Sequence, residues 1–386
     1  PGCQRIPILS SGQRAGAPTR YILYEEIKSV SFLIFWLHFR INGPSQLFKR
    51  LLIELWVYFR YSTLRKIVNL IKLKIQYVLR RVYINGLPYR YYIEPTNVCN
   101  LRCPFCFGWQ GRSERNRGMM SLGTFKSLID QIAPYAYWVD LYNRGESFLH
   151  PNICDMITYA HQHRVGTKIS TNLNSLANLT AEQLVRSGLD YLVVSLDGAT
   201  QDTYAAYRVG GSINLVLENL RSIVECKRRL KSVTPYITVR TIIMRHNEHE
   251  LELVKELAQH IGVDNIIFTP MIVNIKSENA HRWLPTNPKF SFYDYKRRIN
   301  KISVNLRACP ELWQRGTITW DGLVFPCCFA DGEGEHLGDL AENSFPTIWN
   351  SEKYQISRAV FRNSPLSEKP AIITVCVTCR GVRKRR

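Results

Sequence analysis

From residue 90 to residue 270 the chain alternates strand-like and helix-like segments, and this rhythm restricts the fold more than any other feature. Six runs rich in β-branched and aromatic residues have strand character: "RYYIEP" (90–95), "YWVDLY" (137–142), "TKIST" (167–171), "DYLVVSLD" (190–197), "YITVRTIIM" (236–244) and "NIIFTP" (265–270). Helical periodicity fills the gaps, at about 121–133, 152–164, 180–187, 213–230 and 248–261. Start signals agree, with Ser121 and Asn247 suited to N-caps and Thr180 with Gln183 forming a capping box. Six β/α repeats imply an α/β fold on a parallel sheet, either an open doubly wound sheet or a partial barrel. In both, ligands gather at the carboxyl ends of the strands.

The flanks differ from this core. Gly86 and Pro88 break the chain in "INGLPYR" (84–90). The expected layout is a helical extension over 1–88, an α/β core over 89–271, a connecting segment over 272–305 and a cysteine-rich unit over 306–386. Residues 1–90 carry fifteen Lys/Arg against three Glu, a net +12 of the whole chain's +20. Within them "SVSFLIFWL" (29–37) is too short to cross a bilayer, which takes ~20 apolar residues. "QLFKRLLIELWVYFRY" and "STLRKIVNLIKLKIQYVLRR" read as basic amphipathic helices. In the second, Leu64, Ile67, Val68, Ile71, Ile75, Val78 and Leu79 form one stripe, with Arg65, Asn69, Lys72, Gln76 and Arg80 off it. That stripe predicts either contact of residues 21–83 with an anionic membrane surface or a helical pair packed on the core or a partner. Nucleic acid is disfavoured, since no recognition motif accompanies the charge. The chain opens on Pro1 rather than Met, which points to a fragment or a processed chain, and residues 1–20 lack the apolar stretch of a signal peptide. Basic and aromatic residues at 281–300 are expected either to face an acidic or glycosidic substrate or to cover the barrel, with cover the favoured reading.

Eleven cysteines fall mostly in tight groups, at 99/103/106, 309/327/328 and 376/379, leaving Cys3, Cys154 and Cys226 single. Such grouping suggests metal or cluster ligation in a reducing compartment, hence the cytoplasm. The first group lies in the loop that follows the first strand. Thiolates at i, i+4 and i+7 can reach three irons of one four-iron cluster. A ferredoxin run would add further cysteines nearby, and a zinc site would use paired cysteines or histidines at fixed spacing. Three protein ligands leave one iron open.

Cys99-x3-Cys103-x2-Cys106, with Phe105 before the last cysteine, resembles the radical S-adenosylmethionine (SAM) superfamily. The resemblance implies the partial-barrel form, a TIM-like (β/α)6 wall, and a 4Fe–4S cluster whose open iron is chelated by SAM. Family members cleave SAM to methionine and a 5'-deoxyadenosyl radical that removes a substrate hydrogen. Further segments match in order. "NRGESFLHP" (143–151) is similar to the family's Gly-Gly-Glu-Pro segment, with Gly145 and Glu146 at its middle but Arg144 and Ser147 as departures. "STNLN" (170–174) is similar to a Thr-Asn-Gly turn, with Asn172 kept and Leu173 in place of Gly. "VSLDG" (194–198) resembles the segment of relatives in which Ser195 and Asp197 would approach the SAM ribose, and "YRVGG" (207–211) resembles the one in which Arg208 would meet its carboxylate. Catalytic residues beyond these cofactor contacts are not assigned.

Cys309-x12-Gly322-x4-Cys327, followed by Cys376-x2-Cys379, resembles the C-terminal SPASM/twitch extension, where a hairpin carrying the glycine presents cysteines to an auxiliary cluster. Cys309, Cys327, Cys376 and Cys379 can saturate one such 4Fe–4S cluster, with Cys328 spare. Four cysteines also suit tetrahedral zinc, although iron–sulfur is favoured beside a radical SAM loop. The expected activity is hydrogen abstraction for a net oxidation of a small carbohydrate-like or envelope-associated substrate, at the inner face of the membrane. Flavodoxin or ferredoxin would be the electron donor. A peptide maturase and a non-catalytic cluster- or zinc-binding protein are the alternatives.

Overall fold

The structure, a computed structural model, describes residues 30–106, 116–176, 179–273, 280–295, 299–300, 308–330, 332–362 and 372–379. Cys3 and the leader up to residue 29 lie outside them, as do parts of the segment expected to connect the two units.

Six parallel strands form the wall: β1 (Arg90–Ile93), β2 (Trp138–Asp140), β3 (Gly166–Thr171), β4 (Tyr191–Ser195), β5 (Tyr236–Ile243) and β6 (Asn265–Pro270). They stand side by side in chain order, without the reversal that defines a doubly wound sheet. Repeated right-handed crossovers in one direction put every connecting helix on one face and curl the sheet into a partial barrel. The sequence alternates therefore resolve in favour of the barrel. The central strands are buried on both faces, as parallel strands must be.

On the outer face lie α3 (Leu122–Ile132), α4 (Ile153–Gln162), α5 (Ala181–Arg186), α6 (Gln201–Tyr207), α7 (Ile213–Arg229) and α8 (Leu251–Ile261). They share one apolar core with Val139, Ile169, Leu192, Val194 and Val239 of the strands. Ser121 caps α3, and the Thr180–Gln183 capping box opens α5. Asn247 is not an N-cap. It is fully buried, donates to the Asp197 and Ile242 carbonyls, and α8 begins after Glu250. The short α6 has no long apolar stripe, so periodicity did not reveal it.

The alternate strand residues Trp138, Tyr191 and Val193 face the other way and meet Ile53, Val57 and Tyr61 of α1 (Val30–Tyr61), a helix kinked at Gly43. Helix α1 thus lies against the inner face. Asn42 exchanges two hydrogen bonds with the Phe268 backbone of β6, and the Tyr61 hydroxyl donates to Asp190 at 2.8 Å. Val57 comes so close to Gly166 that a side chain there would collide with it. Burying Ile53, Val57 and Tyr61 contributes ~1.5–3 kcal/mol each. α2 (Leu64–Val78) also packs on the body, yet the side facing inward is a mixed one, with Leu70, Leu73 and Tyr77 beside Lys66 and Asn69, and not the apolar stripe. Lys66 and Asn69 are buried, Leu73 joins the core, and the apolar stripe faces out. The stripe is therefore not the packing face.

Past β6, the short strands β7 (Tyr293–Asp294) and β8 (Ile299–Asn300) pair with each other. Then β9 (Arg315–Ile318) adds to the barrel sheet, parallel to β1, followed by antiparallel β10 (Leu323–Phe325) and β11 (Gly338–Asp339). Gly322, at φ 86°, makes the β9–β10 turn, where a left-handed residue is required. The cysteine-rich unit thus continues the barrel wall into a nine-stranded sheet.

Candidate functional site

The loop that leaves β1 is pinned at its base. Glu94 donates its backbone N–H to the Ile318 carbonyl, the Thr96 hydroxyl donates to the Gly118 carbonyl at 2.7 Å, and Asn97 bonds both Asn116 and Gly118. From this base the chain presents Cys99, Cys103 and Cys106 to one cavity of about 290 Å3 at the carboxyl ends of β1–β5. Cys103 is buried and the other two are half-buried. Gly145, Glu146, Asn172, Ser195 and Arg208 line the same space.

Gly145 lies so near the cysteine loop that a Cβ would stand 2.6 Å from the Val98 carbonyl and nearer still to that of Thr96. Close backbone contact lets the next residue, Glu146, donate its N–H to Val98 at 2.8 Å. The Glu146 carboxylate is fully engaged from behind. It accepts from the Thr171 hydroxyl and the Asn172 N–H, each at 2.7 Å, and from Phe148 N–H at 3.2 Å. Burial pushes its pKa up, and these three donors oppose that. The Asn172 amide donates to Asn100 Oδ1 at 2.9 Å and points at Cys99 Sγ at 3.8 Å. Leu173 takes φ 52°, the left-handed conformation in which glycine is at ease, so the turn keeps its shape with a leucine in it. Its buried side chain fixes what the backbone resists.

Arg208 reaches from the end of α6 to Asp197, Nε to Oδ2 at 2.6 Å, and its Nη1 approaches Cys103 Sγ at 3.8 Å. Asp197 is wholly buried, and its other oxygen accepts the Ile242 N–H at 2.6 Å. Asp197 and Phe105 stand behind the cavity wall rather than in it. Asp197 positions Arg208, and Phe105 packs edge to face on Trp283 among the cysteine loop's apolar neighbours.

Other contributors were not singled out from sequence. Arg240 lines the cavity, donates to Ser170 at 3.3 Å and buries its Nε with no hydrogen-bond partner. A lone cation inside the apolar run "YITVRTIIM" was its available signal. Lys168 sits deeper on the same inner face, pushed down to about 7 by burial. Arg144, where the family motif has glycine, uses its guanidinium to bond the Cys328 carbonyl at 3.0 Å, and its N–H donates to Glu94. Burial pushes the Cys99 thiol up to about 11, so ligation by a metal must displace its proton.

The second group is buried too. Cys309, Cys327, Cys376 and Cys379 are each at most 3% exposed. Cys327 and Cys376 both act electrostatically on the Tyr354 hydroxyl, and Tyr77 of α2 donates its hydroxyl to the Ala308 carbonyl, one residue before Cys309. Among the described residues no three His, Cys, Asp or Glu side chains are gathered as a single metal ion requires. The donor set, thiols with one amide and one guanidinium beside them, fits a soft iron–sulfur cluster. The unpartnered Arg240 Nε, buried in the cavity wall, fits a polar cofactor lying across the cavity.

Comparisons with known proteins agree. The radical SAM superfamily profile matches residues 93–258, and the SPASM profile, an iron-sulfur cluster-binding domain, matches 309–380. The cofactor-modifying protein for a tungsten-containing aldehyde ferredoxin oxidoreductase of Pyrococcus furiosus is 24% identical over 312 residues, 70% of this chain and 83% of that one. The mycofactocin maturase MftC of Mycobacterium tuberculosis is 27% identical over 169 residues, 44% of this chain but 41% of that one. Among solved structures, SuiB of Streptococcus suis bound to S-adenosylmethionine superposes with a TM-score of 0.55 at 13% identity, covering 71% of this chain and 68% of SuiB. A radical SAM domain carries a 4Fe–4S cluster and SAM, and a SPASM domain carries auxiliary iron–sulfur clusters, which favours iron over zinc at the second group. The chain belongs to the radical SAM superfamily, in the branch that carries a SPASM domain.

Proposed function

We propose that this chain is a radical SAM oxidoreductase acting on a small, hydroxyl-bearing, carbohydrate-like or envelope-associated substrate. Cys99, Cys103 and Cys106 would hold the cluster with the open iron, and Gly145, Glu146, Asn172, Ser195 and Arg208 would hold SAM. When bound, these groups supply the one-electron cleavage that removes a substrate hydrogen atom. The chain's own residues do the positioning. Glu146, fixed by three donors, offers the remaining lone pair of Oε2 to an ammonium, and Arg208, braced by Asp197, offers its other N–H groups to a carboxylate. Phe105 and Trp283 pack behind the loop, Tyr207 lines the cavity against Trp283, and together they would exclude water.

The reading rests on one observation: three cysteines, Glu146 and Arg208 wall a single cavity at the carboxyl end of the barrel. Cys309, Cys327, Cys376 and Cys379 would hold one auxiliary cluster, and the second electron of the oxidation would leave toward it. Support comes from Arg144, which belongs to the cavity wall and bonds the Cys327–Cys328 segment. We place the protein in the cytoplasm with a flavodoxin or ferredoxin as reductant, peripheral to the membrane. A peptide substrate is the second reading, favoured by the likeness to a maturase and to SuiB, which was also solved with its precursor peptide SuiA.

Anaerobic reconstitution tests the proposal: about eight irons per chain and 5'-deoxyadenosine from SAM plus dithionite are expected. About four irons would remove the auxiliary cluster, and no nucleoside would reject the activity. A Cys376→Ala variant that turns over substrate at the normal rate would dismiss the electron-acceptor role. Substrate panels of polyols and of short peptides then separate the two readings.

A further inference from the structure

The seven stripe residues of α2, from Leu64 to Leu79, are between 40 and 79% exposed. Phe48, Leu51, Leu52, Leu55 and Phe59 of α1 are between 42 and 81% exposed, and at 100° per residue they too fall on one face. Twelve large apolar side chains within 32 residues are turned to solvent, whereas scattered single ones are the norm on a protein surface.

The orientation is fixed from below. Lys66 Nζ donates to the Arg164 carbonyl at 2.6 Å, and Asn69 pairs with both backbone groups of Leu87, at 2.8 and 3.0 Å. Rotating α2 to hide its stripe would break these buried bonds. The apolar stripe is therefore held outward by the buried bonds of Lys66 and Asn69 on the opposite face, where Leu73 also packs.

The charge around the face identifies what covers it. On the α2 cylinder Arg65 and Lys72 flank the stripe on one side and Lys74 on the other, and no acidic residue occurs from Thr63 to Ile93. Glu54, the sole acid between 41 and 93, is turned to Arg50 and Arg90, each at 3.8 Å. Arg65 also contacts Tyr135 and Lys74 donates to Gln314, yet both remain exposed beside the stripe with Lys72. An apolar stripe edged by cations is the pattern of a helix lying in the interface of an anionic bilayer, with chains taking the stripe and phosphates approaching the rims. No described helix is long and apolar enough to cross a membrane, so contact would be along the surface. The apolar surface continues from Leu52 and Trp56 through a groove of about 390 Å3 to Val233, which is 73% exposed.

We infer that the outward faces of α1 and α2 form a docking surface for an anionic lipid bilayer, laying the barrel on the membrane through its N-terminal helices. The inference gives a structural basis to the peripheral location proposed above, and it does not depend on the substrate or on the auxiliary cluster.

The test uses the full reconstituted chain in flotation with phosphatidylcholine vesicles, with and without one quarter phosphatidylglycerol, at low and high salt. Expected is flotation with the anionic vesicles at low salt, weakened by high salt and on neutral vesicles. An I71E/I75E variant should lose about tenfold or more of this partitioning. Its melting temperature and its 5'-deoxyadenosine production should stay at wild-type values, because neither side chain touches the site. The inference fails if the wild type remains soluble with anionic vesicles at low salt. It also fails if I71E/I75E floats like the wild type, or if the wild type is a dimer that this variant splits, since a second copy would then be the occupant.

Discussion

Replacing Gly145 with alanine isolates the contact on which the cofactor pocket depends. Gly145 is not in the left-handed region that favours glycine, so the loss expected on substitution comes from what an alanine Cβ meets. That atom would stand 2.6 Å from the Val98 carbonyl oxygen and 2.9 Å from the Asn97 carbonyl carbon, where real contacts begin near 3.0 Å. The neighbours are backbone, so no side chain can swing away. Either the Gly145–Glu146 segment or the loop carrying Cys99 must shift, and the Glu146–Val98 hydrogen bond is lost. Overpacking costs ~1–3 kcal/mol and the bond ~1 kcal/mol, against ~0.5 kcal/mol regained from the stiffer unfolded chain. The net is a destabilisation of ~1.5–3.5 kcal/mol. A displacement of about 1 Å at Glu146 should weaken SAM binding tenfold or more and slow SAM cleavage by about a hundredfold. Gly123, in the first turn of α3, is the control, because a Cβ there meets only the Ser121 hydroxyl at 3.7 Å. Gly123→Ala should be neutral or stabilising by up to ~1 kcal/mol. Anaerobic denaturant titrations and equilibrium SAM binding measure both effects. Wild-type stability together with wild-type SAM affinity in Gly145→Ala would refute the reasoning.

Three further outcomes are expected. Burial raises Asp190 to about 6, above its unfolded value near 4, so its contribution to stability is fully present below about pH 4 and is lost as pH rises through 6. Asp190→Asn should therefore flatten the wild-type decline of ~3 kcal/mol between about pH 4 and 6, measured by chemical denaturation of the apoprotein. Arg358 is fully buried and donates to the Leu312, Trp349 and Val82 carbonyls, so Arg358→Met should destabilise by ~3–5 kcal/mol in the same titration, and Arg358→Lys should recover only part of it. Asp197→Asn leaves the Arg208 guanidinium without its carboxylate, and SAM binding, measured by equilibrium dialysis, should weaken by about ten- to a hundredfold while iron content at the three-cysteine site holds.

What the sequence made legible follows from how local each signal is. The strands and helices of the barrel carry their own periodicity, and the three-cysteine loop carries its own spacing, so both could be read from one segment at a time. Gly145 and Glu146 were legible for the same reason. Asp197 was legible as a position and less so as a role, because its partnership with Arg208 and the Ile242 N–H depends on three elements meeting. Arg240 and Lys168 were overlooked since a cation in a strand has meaning only once the inner face of a barrel is defined. The direction of the α2 stripe could not be read at all. Periodicity gives two faces and does not say which is down. Lys66 and Asn69 decided that, through carbonyls and amides of Arg164 and Leu87.

Sequence reading also treated the cysteine-rich unit as a separate module, and the pairing of β9 with β1 changes that view. Four register pairs from Arg90–Arg315 to Ile93–Ile318 make the two units one sheet, so they share the strand from which the radical SAM loop departs. Glu94, the residue that follows, then receives the Arg144 N–H on one oxygen and lies 3.5 Å from the Trp320 N–H on the other. Arg144 itself spans from the cavity wall to the Cys328 carbonyl. Glu94 and Arg144 therefore add a side-chain link between the two cysteine groups to the one that the shared sheet provides. The departure from glycine at position 144 gains a physical reason: a glycine there would have neither the length nor the donors to join the cavity to the second cysteine group.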